Sequence, residues 1–185
     1  MADRIVCNKN DNMSLPLTEY VQMFIDLIVQ YSKTKILNMN FLMKFVECDQ
    51  NDEPILNKGK YIPNDLLKKL VKEYSNTGTT ILYVAARNCS GKFVELILDA
   101  VSDRDKKDVV NLKNKSDDGS TPLHGCLWNK TSTFENKMMV AELLLEAGAN
   151  SNIGNNYGET AVMNGVAANP DKMKEIIATL SRYSK

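Results

Sequence analysis

A single histidine, a single tryptophan and only four arginines occur among the 185 residues, and charge of neither sign is in excess. Lys+Arg and Asp+Glu both number 23, and no basic cluster stands out, so there is no positive field to draw the chain to nucleic acid, and nucleic acid is not expected as a partner. Cys7, Cys48, Cys89 and Cys126 lie about forty residues apart with no CxxC pair. That spacing suggests neither a zinc site nor a disulfide framework, and the four read as small buried hydrophobes of a protein in a reducing cytosol. No run approaches the roughly 20 apolar residues that span a bilayer, and Met1 to Met13 lacks the apolar core of a signal peptide, so membrane insertion is not expected. A lone histidine offers little to catalysis, and the carboxylates Glu47, Asp49, Asp52 and Glu53 fall in or beside a polar loop with no nucleophile nearby. No catalytic residue, metal or cofactor is assigned.

What is present is a hydrophobic content of 43%, enough for a core, and a pattern that repeats. Its strongest copy is Asp118-Gly119-Ser120-Thr121-Pro122-Leu123-His124, followed after an insert by Val140 to Asn152. Thr121 suits the cap of a first helix and Pro122 its first turn. Leu123, Leu143 and Leu144 face a core, and Gly148 can end the second helix in a left-handed conformation. This stretch resembles the TPLH…LLLEAGA signature of ankyrin repeats. The resemblance implies that His124 ties neighbouring backbone turns together. Weaker copies run from Thr77 to Ala86 and from Tyr157 to Met163.

Gly78, Gly119 and Gly158 are 41 and 39 residues apart, longer than the usual period of about 33. The surplus can be located. Tyr83 to Leu96 and Met163 to Ile176 are each 13 residues, but His124 to Leu143 is 19, so the second copy is lengthened between its helices, around Trp128 to Lys137. Asn111 to Gly119 is eight residues where Asn152 to Gly158 is six, which lengthens the first copy after its second helix, around Ser102 to Ser116. Both inserts are polar and are expected to be surface loops. The repeats are placed at 75–114, 115–154 and 155–185, with a terminal helix from Lys172 to Leu180. Three such units are close to the minimum for a continuous core, so something upstream of Ser75 must cover the first.

Residues 14–74 read as three helices. One runs from about Leu17 to Tyr31, with Tyr20, Phe24, Leu27 and Tyr31 on one stripe and Val21, Ile25 and Ile28 beside it. A second, from about Leu37 to Cys48, carries Phe41, Leu42, Phe45 and Val46. A third starts near Pro63 and carries Leu66, Leu67, Leu70, Val71 and Tyr74. Asp49 to Lys60 is a loop, and residues 1–13 are a flexible N-terminus.

Leu15-Pro16, Glu19-Tyr20, Met23-Phe24 and Leu27 are similar to the opening of an F-box, and Phe41 and Phe45 stand where its later VC…W pattern falls. The VC pair is absent and Phe45 replaces the tryptophan. The resemblance implies a helical module that docks on the Skp adaptor of an SCF ubiquitin ligase through Leu15, Pro16, Tyr20, Met23, Phe24, Leu27, Ile28, Phe41 and Phe45. The order F-box then ankyrin repeats is similar to the ankyrin F-box effectors that Legionella delivers into host cells. That likeness implies a chain secreted by a bacterium into the host cytoplasm, and 19 lysines against four arginines, with abundant asparagine, fit an AT-rich genome. The chain closes Ser181-Arg182-Tyr183-Ser184-Lys185 without a prenylation box, so lipid anchoring is not expected.

The expected architecture is therefore all-α, an F-box-like three-helix module followed by about three ankyrin repeats. By analogy with other ankyrin stacks, an unidentified target protein is held by Asn76, Thr77, Arg87 and Asn88 in the first repeat, by Asp117, Asp118, Ser120, Trp128 and Asn129 in the second, and by Asn156, Tyr157 and Glu159 in the third. Ubiquitin transfer would belong to other ligase subunits. Two alternatives stay open. Leu15 to Leu27 is also readable as a capping helix of a plain ankyrin adaptor or inhibitor, and Trp128 as a side chain packed beneath its own loop.

Overall fold

The computed structural model describes residues 15–42, 44–115 and 118–183. The expectation of a flexible segment at 1–13 lies outside them.

Helix α1 spans Leu17–Thr34 and begins directly after Pro16. Val21, Phe24, Ile25, Leu27 and Ile28 are buried, the spacing of one broad face. Lys35 ends the helix in the left-handed conformation, returning its N–H to the Tyr31 carbonyl. A single turn, α2, covers Met39–Leu42. This is far shorter than the second helix read from the sequence: Phe45 and Val46 lie beyond it, and Val46 pairs as an isolated bridge with Pro63.

The loop expected from Asp49 to Lys60 is instead a small antiparallel arm, and the chain is mostly rather than wholly helical. Strands β1 (Leu56–Asn57) and β2 (Lys60–Tyr61) pair across Lys58 and Gly59. Both turn residues have positive φ, 52° and 83°, the requirement of a two-residue type I′ hairpin. Asp49 shapes the approach, its carboxylate accepting the N–H groups of Asn51 and Glu53 at 2.8 and 3.0 Å. These strands are largely exposed and lack the apolar alternation that would have announced them. Helix α3 follows at Asp65–Leu70, with the Asn64 side chain accepting from Leu67 N–H at 3.1 Å. Val71 and Tyr74 fall after its end.

Three finger–helix–turn–helix units complete the molecule. In the first, Thr80 caps α4 (Ile81–Arg87), α5 spans Gly91–Ala100, and the insert expected as a loop forms a further helix, α6 (Asp103–Val110). Its periodicity was hidden because only Val109 and Val110 face inward. Asn111 then joins α6 to the next unit, donating to Gly148 O at 3.0 Å and accepting from Asn150 N–H at 2.8 Å. The second unit holds α7 (Pro122–Trp128) and α8 (Phe134–Glu146). Its insert is loop only as far as Thr133, which caps α8, and the remainder lengthens that helix. The third holds α9 (Ala161–Ala168), a 3₁₀ turn at Pro170–Lys172 and α10 (Met173–Tyr183), three residues longer than expected at its C-terminal end.

The helices stack in two layers. Helices α1, α4, α7 and α9 are neighbours in one row, and α3, α5, α8 and α10 in the other. Helix α1 thus occupies the place of an inner helix ahead of the first unit. Phe24 joins the layers, meeting Phe45 edge-on at 4.6 Å and Phe93 of α5 at 5.7 Å between ring centroids. Small residues allow close stacking: a Cβ on Gly125 would lie 3.0 Å from the Tyr83 ring and 3.3 Å from Arg87 Cβ.

Candidate functional site

Each finger turns on a glycine of positive φ, Gly78 at 73°, Gly119 at 57° and Gly158 at 77°. A Cβ on Gly78 would lie 2.7 Å from Lys115 Cβ, and one on Gly119 would run into the Asn156 side chain, so at these two positions glycine also permits the fingers to touch. They are bonded in series. Lys115 N–H donates to Gly78 O at 2.7 Å, and Asn156 N–H donates to Asp118 O at 2.8 Å.

His124, buried at the start of α7, adds a third link. Its Nε2 lies 3.0 Å from Glu159 O, and a carbonyl can only accept, so Nε2 carries the proton. Nδ1 then accepts Thr121 N–H at 3.3 Å and faces Thr121 Oγ1 at 2.8 Å. Burial holds the ring's pKa below its ordinary value. Both nitrogens are engaged, and the histidine joins the second unit to the third finger as its motif implied.

Between the fingers and the C-terminal ends of α4 and α7 lies a cleft of about 530 Å³. Arg87, Asn88, Asp118, Ser120, Trp128, Asn129, Tyr157 and Glu159 all line it. Asn76, Thr77 and Asn156, expected with them, are exposed on the fingers but outside this cleft, and Asp117 lies outside the described residues. Trp128 keeps 44% of its surface exposed, with Lys130 Nζ 4.7 Å above its ring, so it is not sealed beneath its loop. Asn129 fixes that loop, donating to Arg87 O and accepting N–H groups from Thr131 and Ser132 at 2.7 Å each.

The opposite wall is acidic but internally satisfied. Glu159 accepts from Asn155 at 3.1 Å and Asn164 at 3.0 Å; the Asn164 bond first and then that from Asn155 hold its carboxyl below the usual range. Asp118 accepts the Ser120 hydroxyl at 2.9 Å. Tyr83 lines the floor, where burial raises its phenol pKa. Tyr83, Lys130, Asn155 and Asn164 were not anticipated. Lys130 sits in an insert read only as surface loop, and the two asparagines act through Glu159, a relation no spacing rule exposes. Among the described residues no cluster could hold a metal ion, and no helix is long and apolar enough to cross a membrane.

The nine residues expected to dock on an adaptor do not form one surface. Phe24, Leu27, Ile28 and Phe45 are buried in the core, and Tyr20 and Met23 are partly buried against it. Only Leu15, Pro16 and Phe41 are exposed. The apolar stripe that suggested a docking helix is used to cover the first unit.

Residues 118–156 match the family model for the ankyrin repeat. Among solved structures, an ankyrin repeat domain from Acinetobacter baumannii is similar, at 24% identity over 62% of this chain and with a TM-score of 0.49. The match spans about half, 53%, of that chain. No curated protein matches.

Proposed function

We propose that this ankyrin-repeat chain is a non-catalytic adaptor that holds a partner polypeptide in the cleft between its fingers and inner helices, with Trp128 as the anchor. The observation that carries the reading is the exposed Trp128 ring, beside the Asn129 turn in a concave site whose other lining is mostly polar, with Tyr83 and Tyr157 as its further aromatics. Aromatic side chains so placed dominate polypeptide interfaces. A site for a small apolar ligand would be lined mainly by hydrophobic side chains, which this cleft is not.

Affinity capture with the full chain, compared with Trp128→Ala, tests this. The variant should fold normally, since the side chain is half exposed, yet lose its captured partner by about tenfold or more. Equal capture by both proteins would remove Trp128 from the interface.

The finer reading, a substrate receptor on the Skp adaptor of an SCF ubiquitin ligase, draws its support from Leu15, Pro16 and Phe41 alone, the members of that set that remain exposed. Purified Skp adaptor should then bind the full chain and release Leu15→Ala/Pro16→Ala. Without that binding, α1 is a cap and the chain is an ankyrin adaptor or competitive inhibitor.

A further inference from the structure

Two cysteines distant in sequence meet where the first and second units join. Cys89 follows α4 and adopts a left-handed φ of 49°, uncommon for a residue with a side chain. That conformation turns the chain sharply into α5, whose first residue, Gly91, is two positions on. Cys126 is on α7 and fully buried. The Cys89 thiol donates to the Cys126 carbonyl oxygen, with its sulfur 3.9 Å away. Cys126 in turn donates to Lys137 O at 3.2 Å.

The pair differs in access and charge. Cys89 lines a surface pocket of about 330 Å³, formed with Tyr31, Lys35, Lys92 and Met139, while Cys126 is sealed behind it. The Cys126 thiol, then Ser132, Lys137 and Lys35, stabilise a thiolate at Cys89 and bring it to about 7 against the opposing effect of burial. Burial and the neighbouring sulfur hold Cys126 in the protonated form. A thiolate in the wall of a surface pocket, with a second, protonated and fully buried cysteine as its neighbour, is the arrangement of an attacking and a resolving cysteine.

We propose that Cys89 and Cys126 form a reversible disulfide that staples the first unit to the second when the protein meets a peroxide. The Cys89 thiolate attacks one peroxide oxygen, the O–O bond breaks, and the other oxygen leaves as water after taking a proton, which leaves Cys89 as a sulfenic acid. The Cys126 sulfur then attacks the Cys89 sulfur; the S–S bond forms, the S–O bond breaks, and the hydroxyl departs with the Cys126 proton as a second water. The two sulfurs lose two electrons in total and the peroxide gains them. A cellular dithiol restores both thiols by exchange.

The full chain, reduced and then exposed to hydrogen peroxide, provides the test. Of its four thiols two should disappear, peptide mapping should join Cys89 to Cys126, and the melting temperature should rise by roughly 5–10 °C and return on adding dithiothreitol. In Cys126→Ala the staple cannot form, and Cys89 should be trapped as a dimedone adduct. Four free thiols after peroxide, or a disulfide that maps to Cys7 or Cys48, would overturn the assignment. So would equal dimedone labelling of the wild type and Cys126→Ala, because the wild-type sulfenic acid should be consumed by its neighbour.

Discussion

His124 illustrates how one side chain can serve two units, since Thr121 lies in its own and Glu159 in the next. Replacing it with alanine leaves buried polar groups at Thr121 and Glu159 without this partner, at a cost of about 1–3 kcal/mol. Urea denaturation of His124→Ala should show that loss. The pH dependence should change as well. Burial lowers the folded pKa beneath the ordinary 6.5, so the unfolded chain takes up the proton first. The contribution of the neutral ring is complete above 6.5 and declines as the pH falls below it, levelling once the folded ring also protonates. Between about pH 7.5 and 5.5 the wild type should therefore lose more stability than the variant; parallel losses would assign the decline to other groups. The role of His124 was legible through the resemblance of the stretch from Thr121 to His124 to the ankyrin motif. The contact of Cys89 with Cys126 was not, because it depends on how a turn in one unit meets a helix in the next.

Among the elements, α1 shows most clearly what the sequence left open. Its apolar stripe was visible, but which surface it met was not, since amphipathic periodicity states only that a face is buried. Phe24 decides the matter by packing against both Phe45 and Phe93. Phe24→Ala should cost about 3–5 kcal/mol of stability for the whole chain, measured by thermal melting. If Phe24 served an external partner instead, the change would leave the melt unaltered and abolish only binding. Helices α4, α7 and α9 were legible from the threonine that precedes each and the apolar residues that follow. Helix α6 and the β1–β2 arm were not, because one buries only two residues and the other is exposed on most of its length. Both are held by turns and side-chain hydrogen bonds, which leave no periodic trace.

Among the described residues the units form a row in which each packs mainly on its neighbours, so stability should vary along it. Helix α7 lies between α4 and α9, whereas α10, at the end of the row, packs chiefly on α8, α9 and the 3₁₀ turn. Backbone amides of α7 should thus exchange with deuterium more slowly than those of α10 in native buffer, and the reverse order would contradict the layered arrangement. The position of the cap, ahead of α4 in the inner row, follows from the requirement that a first unit be covered. The site's rim was likewise readable in outline, because the repeat fixes which residues occupy finger tips and inner-helix ends.

The bonds that run from Gly78 to Lys115, from Asp118 to Asn156 and from His124 to Glu159 give the cleft a mechanical character. A load on one finger is passed to the next through backbone groups, so the rim responds as a single beam rather than as three separate springs. Such a rim is poorly able to mould itself around an ill-fitting guest. In the proposed role, discrimination between partners falls to the side chains that line the cleft, Trp128 among them, which can be exchanged without altering the spacing of the beam that carries them.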